Sequence, residues 1–319
     1  YSIHPKFYDL IFAMTTVLFI GGFGRSGSTL FEAALGSSPA TICVGELKFL
    51  WSRGVQGNYL CSCGTPFADC SFWQQVLTNA FGPLSPAEVA RIEALRLRVD
   101  KTRHLLLRDL LGVAKRSYEA DIAAYLDILD RLYGAIATTA GASHIVDSSK
   151  DPAHGFLINR LSSHNVQNIQ LVRDPRAVAY SWSQTKKRPE IHWEEATMPT
   201  IDFMRSSLLW RTLNTGMERL ISKYGGRCIR YEDFAADPGG VIAELATALD
   251  LPGLEGFHSG MTAFEQSEHH SVSGNPSRFD GSRTVTVRED DRWKSAYAKS
   301  KQRMVAWLTG SMRGRYGYG

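Results

Sequence analysis

The chain lacks any apolar run of the roughly 18 residues that a membrane helix needs, so no spanning segment is expected. It also lacks a dense basic footprint. Thirty-six Lys and Arg against 32 Asp and Glu leave a net charge of +4, which suits an anionic small ligand but not a nucleic-acid surface. The opening "YSIHPKFYDLIFAMTT" has neither the basic start nor the small-residue cleavage site of a signal peptide, which points to a cytoplasmic chain. Residues 1–14 read as a candidate extension, with Met14 a candidate start. Cysteine is scarce and odd in number: five residues, three of them in "CSCGTPFADC". No C-x-x-C pair is present, and a structural zinc site wants four ligands. Cys61, Cys63 and Cys70 would have to find a distant fourth, for which Cys43 is a candidate. The favoured expectation is structural cysteines and no metal.

What is present is ordinary globular material, 44% apolar over 319 residues, enough to bury a sizeable core. Four short apolar runs read as strands: Thr16 to Ile20, "HIVDSS" (144–149), "NIQLVRD" (168–174) and "RCIRYEDF" (227–234). Each is followed by a turn or a helical pattern. Strands alternating with helices predict a parallel sheet flanked by helices, with ligands at the carboxyl ends of the strands. Between the first two runs lies a helical insertion, about 75–140. Within it "SPAEVARIEALRLRVD" opens on a capping box (Ser85, Glu88) with Pro86 at the first helical position. The insertion is expected to cap the active site of a single domain spanning 1–319. Thr200 to Tyr224 reads as a further helix stopped by Gly225, and 265–292 as mostly loop.

"FIGGFGRSGSTLFEAALGSSP" (19–39) has Gly22, Gly27 and Thr29 where a G-x-x-x-x-G-K-[ST] phosphate loop has them. Ser28 occupies the lysine position, and the nearby cation is Arg25. Such a strand–loop–helix turn presents backbone N–H groups to an anion at the positive end of the helix. Without the lysine that manages a terminal phosphate, the loop suits a ligand ending in one phosphate-like group rather than magnesium-ATP.

These residues resemble the 5′-phosphosulfate loop of the sulfotransferases that use 3′-phosphoadenosine-5′-phosphosulfate. The longer stretch is most similar to the bacterial and tyrosylprotein branch. The resemblance implies a P-loop-like α/β fold and a donor held by Gly24, Arg25, Ser26, Gly27, Ser28 and Thr29. "LVRDPRAVAYSWSQ" matches the family's 3′-phosphate element, with Arg173 and, eight residues on, Ser181 one turn or two into a helix. "HHSVSGNPSRF" resembles the late loop over the adenosine side, where Asn275 and Arg278 are the candidates. Tyr231, within the fourth run, joins the expected donor contacts.

Sulfonyl transfer needs a base for the acceptor hydroxyl and cations for the leaving phosphate. In the branch resembled, the base is a glutamate in a Gly-Glu pair, here Gly45–Glu46 of "TICVGELKF". A Lys-Asp-Pro element supplies the cation at the bridging oxygen, here Lys150 of "VDSSKDP", with Arg25 assisting and Asp147 an orienting or structural carboxylate. Catalysis is expected without metal. The acceptor is expected to be a hydroxyl on a small molecule, glycan or lipid, and 3′-phosphoadenosine-5′-phosphate (PAP) the product. Nine histidines offer rival bases, among them His144, His154, His269 and His270. A P-loop nucleotide kinase and a non-catalytic nucleotide-binding module are the alternatives.

Overall fold

The computed structural model describes residues 15–102, 116–267, 269–279 and 283–319; the candidate extension, 1–14, lies outside them. Five parallel strands form the central sheet: β1 (Thr16–Gly21), β2 (Thr41–Gly45), β3 (His144–Lys150), β4 (Asn165–Val172) and β5 (Arg227–Arg230). Their spatial order is β2-β3-β1-β4-β5. Strand β1 is central, registered on β3 from Thr16↔His144 and on β4 from Thr16↔Asn165. The carboxyl ends of β3, β1 and β4 therefore stand side by side, about 4.8 Å apart, and whatever follows them is gathered at one edge.

The flanking helices are α1 (Ser28–Leu35), α2 (Ser71–Phe81), α3 (Pro86–Val99), α4 (Arg116–Ala140), α5 (Pro152–Ile158) and α6 (Pro175–Ser183). After these come α7 (Phe203–Tyr224), α8 (Tyr231–Ala236), α9 (Pro238–Leu249), α10 (Trp293–Ala296) and α11 (Lys299–Arg315).

Strand alternation sorts the core into two layers. Val17 and Phe19 of β1, with Ile42, Val44 and Ile145, join a cluster with Trp51, Trp73, Ile92 and Tyr125. Leu18 and Ile20, with Val146, Ile169 and Leu171, face the opposite cluster of Phe31, Phe234 and Ile242. The insertion helices α2 to α4 thus cover one face of the sheet, while α1, α8 and α9 cover the other.

Most sequence expectations hold. Helix α3 carries the capping box, the Ser85 hydroxyl accepting from the Glu88 N–H, and α7 stops at Gly225 with Asp202 capping its start. Three differ. The edge strand β2 was not foreseen. The fourth strand ends at Arg230, and Tyr231 to Phe234 turn into α8 because acidic residues open a helix there. The late segment also holds a small antiparallel pair, β6 (Ala263–Glu265) with β7 (Thr284–Thr286).

Candidate active site

The glycine loop joins β1 to α1, with Gly27 as the N-cap at φ 93°. A side chain at Gly27 would run into the Tyr231 ring, so glycine both permits the turn and lets the loop lie on that ring. Two non-glycine residues also hold left-handed backbone: Arg25 at φ 74° and Lys150 at φ 64°. Such conformers cost about 1–3 kcal/mol each and collect at functional sites. The Lys150 carbonyl accepts from the Gly22 N–H at 3.0 Å, tying the end of β3 to the loop.

A cavity of ≈ 280 Å³ opens where these elements meet. Gly24, Arg25, Gly27, Ser28, Thr29, Glu46, Lys150, Arg173, Ser181, Tyr231 and Asn275 all line it. Two sequence candidates do not. Ser26 is buried and its hydroxyl turns back to the Phe23 carbonyl at 2.7 Å. Arg278 lines a neighbouring cavity of ≈ 490 Å³, where none of its three guanidinium nitrogens has a hydrogen-bond partner. Ser181 sits about two turns into α6, within the range expected.

Sequence reading missed Lys186, Arg288, Trp182 and Asp290, which also line the loop cavity. Lys186, Arg288 and Asp290 lie in segments without a motif, and Trp182 directly follows Ser181 in the 3′-phosphate element. Lys186 is pushed down by burial and by the neighbouring Arg25 cation. The lining carries five cations (Arg25, Lys150, Arg173, Lys186, Arg288) against two carboxylates (Glu46, Asp290), an arrangement suited to an anion.

Arg173 is buried, donates to the Arg25 and Asp290 carbonyls at 3.3 and 2.7 Å, and stacks on Tyr231 at 4.3 Å. Its Nε has no partner, nor does Nη1 of Arg25, whose other terminal nitrogen reaches the Met198 sulfur. Buried guanidinium donors without acceptors are costly, and an anion in the cavity is the natural acceptor for them. The Arg25 guanidinium also lies over Trp182 at 5.0 Å.

Glu46 enters from the end of β2. A side chain at Gly45, φ 68°, would strike the Ser273 carbonyl, which accepts from the Glu46 N–H at 3.0 Å. Glu46 Oε1 pairs with Lys150 Nζ at 2.5 Å, and Oε2 accepts from the Ser273 hydroxyl at 3.2 Å with Arg53 at 3.6 Å. Burial alone would raise its pKa, but the Lys150 and Arg53 cations override it and hold the carboxyl at about 2. Glu32, on the buried face of α1, goes the other way: burial pushes it up to about 7 against the Lys150 cation.

Behind Lys150 lies a buried ionic network. His154 bridges Asp100 (2.8 Å) and Asp147 (3.2 Å), Tyr133 donates to Asp147 at 2.6 Å, and Lys48 joins Asp100 to Asp151. Asp147 also accepts from the Ser149 N–H at 2.8 Å. Among the described residues the insertion helices line neither cavity; they reach the site from behind, Asp100 following α3. His144 contacts the Pro252 carbonyl at 2.7 Å, away from the cavities, while His269 lines the neighbouring one.

Burial opposes charge on His154, yet Asp100 and Asp147 raise it to about 9. A raised histidine contributes stability that is complete below its ordinary 6.5 and lost as pH rises through about 9. His154→Ala should cost about 3–5 kcal/mol by leaving buried carboxylates uncompensated. Urea titrations should show the gap from wild type widest below pH 6.5 and narrowing towards 9. A gap independent of pH would mean a neutral, merely packed imidazole.

The fold is a parallel α/β sheet whose β1–α1 glycine loop opens on a cation-rich cavity. Residues 149–298, from the end of β3 past α10, match the sulfotransferase domain family, and this match supports a sulfotransferase enzyme. That family implies 3′-phosphoadenosine-5′-phosphosulfate as sulfonate donor and a small acceptor. Two solved sulfotransferase domains are similar: one from the olefin synthase of Synechococcus PCC 7002, one from the curacin biosynthetic pathway. They share 18% and 19% identity, over 95% and 96% of this chain and 95% and 98% of theirs, at TM-scores of 0.48 and 0.49. A Mycobacterium avium sulfotransferase aligns over 75% of this chain and 64% of its own at 17% identity, TM-score 0.39. No curated protein matches. No helix among the described residues is long and apolar enough to cross a membrane.

Proposed function

We propose that this sulfotransferase binds its donor in the loop cavity and moves the sulfuryl group in line to an acceptor hydroxyl, with Glu46 as general base. The carrying observation is the meeting of the β1 loop, Lys150 and Arg173 in one cation-rich cavity with Glu46 beside Lys150. The donor supplies an activated sulfuryl group on a 5′-phosphate; everything else falls to the chain. The backbone N–H groups at the start of α1, with Ser28 and Thr29, hold the 5′ end. Arg173 and Ser181 grip the 3′-phosphate, and Tyr231 and Asn275 line the nucleotide side. Lys150 and Arg25 stabilise charge on the leaving phosphate, and Glu46 takes the acceptor proton without a metal.

The neighbouring cavity, which shares Thr29 and Asn275 with the first, suits a small-molecule, glycan or lipid acceptor. Arg278 then belongs to that side rather than to the adenosine. The reading takes the chain as one cytoplasmic domain.

Donor binding is tested by thermal shift. PAP at about 100 times its dissociation constant should add about 2.7 kcal/mol of stability in excess chelator, and ATP little with or without magnesium. Arg173→Ala should weaken PAP through loss of a charge-assisted fork worth about 1.5–3 kcal/mol, and leave adenosine-5′-phosphosulfate, which has no 3′-phosphate, nearly unchanged. Equal losses for both ligands would make Arg173 structural. Stabilisation by magnesium-ATP alone would replace the sulfotransferase site with a kinase site.

A further inference from the structure

The three clustered cysteines meet a partner that sequence reading did not connect with them. Cys43, the fourth ligand considered, is elsewhere: its thiol donates to the Glu32 carbonyl at 3.2 Å. His270 of the late loop stands there instead. The ligand atoms of Cys61, Cys63, Cys70 and His270 all lie within 4.8 Å of one another. Cys63 and Cys70 sulfurs are 3.7 Å apart, and His270 Nδ1 is 3.8 and 3.4 Å from the sulfurs of Cys61 and Cys70. A tetrahedral zinc with bonds of about 2.3 Å to sulfur and 2.0–2.1 Å to nitrogen gives edges of about 3.8 Å (S···S) and 3.6 Å (S···N). The observed spacings match those edges. A disulfide would need its sulfurs at about 2.05 Å, which Cys63 and Cys70 do not approach.

We propose that Cys61, Cys63, Cys70 and His270 form a structural zinc site, three thiolates and one imidazole around a single Zn²⁺, with the thiol protons released on binding. Soft sulfur donors with one nitrogen in a tetrahedron favour zinc over the oxygen-seeking cations, and four protein ligands leave no open position for chemistry.

The surroundings hold the ligands in place. Cys61 and Thr65 close a tight turn through the Thr65 carbonyl (2.9 Å), and Gly64 donates to the Cys61 carbonyl at 2.9 Å. The His270 ring stacks on Phe72 at 4.4 Å and 7°, and its carbonyl accepts from Trp73 Nε1 at 2.8 Å. The stack fixes the plane of the imidazole, and the Trp73 bond fixes the backbone that carries it.

The consequence is mechanical. Ligands 61, 63 and 70 precede α2, whereas His270 opens the loop that carries Ser271, Ser273 and Asn275. Ser271 exchanges hydrogen bonds with Ser62 (3.2 and 2.7 Å), and Ser273 lies on Gly45 and Glu46. The metal would clamp this loop against the site and set Ser273 on the carboxylate.

The test is metal content of the purified full chain by inductively coupled plasma mass spectrometry, with cobalt substitution read by absorption. About one zinc per chain is expected, and the cobalt form should show thiolate charge-transfer bands and the intense visible bands of a tetrahedral site. Cys70→Ser and His270→Ala should lose the metal and melt lower. His270→Cys should retain it, and so should Cys43→Ser and Cys228→Ser, the other two thiols. Should a ligand variant fail to fold, the wild-type metal content and cobalt spectrum still decide. Wild-type protein from zinc-supplemented growth that carries no stoichiometric zinc and takes up no cobalt overturns the proposal, and so does a Cys63–Cys70 disulfide by mass spectrometry.

Discussion

Glu46→Gln should lower turnover by about 10²- to 10⁴-fold while leaving the fold and PAP affinity intact. The amide keeps the shape, can still accept from Ser273 and Lys150, and cannot take a proton. In the resting site Glu46 is a weak base, held at about 2 by Lys150 and Arg53. Burial pulls the other way, so a donor that draws the Lys150 charge to itself leaves a stronger base next to the acceptor. The pH profile separates the rivals. A site run by Glu46 keeps its base ionised throughout the neutral and mildly acid range. A site run by Glu32 would lose half its activity near the point to which burial lifts that carboxyl, about 7. Near-normal turnover in Glu46→Gln would remove Glu46 from the mechanism and leave Glu32 or His269 to be tested.

The loop side of the cavity was legible because its residues are local. The glycine loop must follow a strand and open a helix, so "GRSGSTL" carries its own structural context, and Arg173 announces itself at the end of β4. Glu46 was placed by its glycine even though β2 itself, five residues at the sheet edge, gave too short a pattern to read. What stayed hidden came from pairings across long separations. Lys186 and Arg288 reach the cavity only because two loops fold over it. His270 lies 200 residues beyond Cys70, and no spacing rule joins them. Glu32 belongs to no motif in the sequence, and only its burial, 8% exposed, sets it apart. The helical insertion was legible as helices, from its capping box and periodicity, but its placement was not. Apolar stripes say that a face is covered, and the choice of face depends on the alternation of β1 and β2 beneath it.

Lys150→Ala should cut kcat by about 10²- to 10³-fold, about 2.7–4 kcal/mol, with little change in PAP affinity, because the cation acts on charge that develops only as the sulfuryl group leaves. Its setting makes this a clean substitution. Alanine inherits the same left-handed backbone at φ 64°, so no new strain arises, and the carbonyl that receives the Gly22 N–H remains. A purely structural Lys150–Glu46 pair would behave differently: the loss would fall on stability, and turnover per folded molecule would be retained. The variant also carries an internal marker. With Lys150 gone, the largest downward influence on Glu46 is removed while burial still pushes up, so its titration should move upward from about 2 towards the neutral range. The residual activity of Lys150→Ala should therefore show an acid limb that the wild type lacks, and Glu46→Gln added to it should abolish that limb. Unchanged kcat would separate Lys150 from the leaving phosphate, and a lowered kcat with no new acid limb would separate it from Glu46.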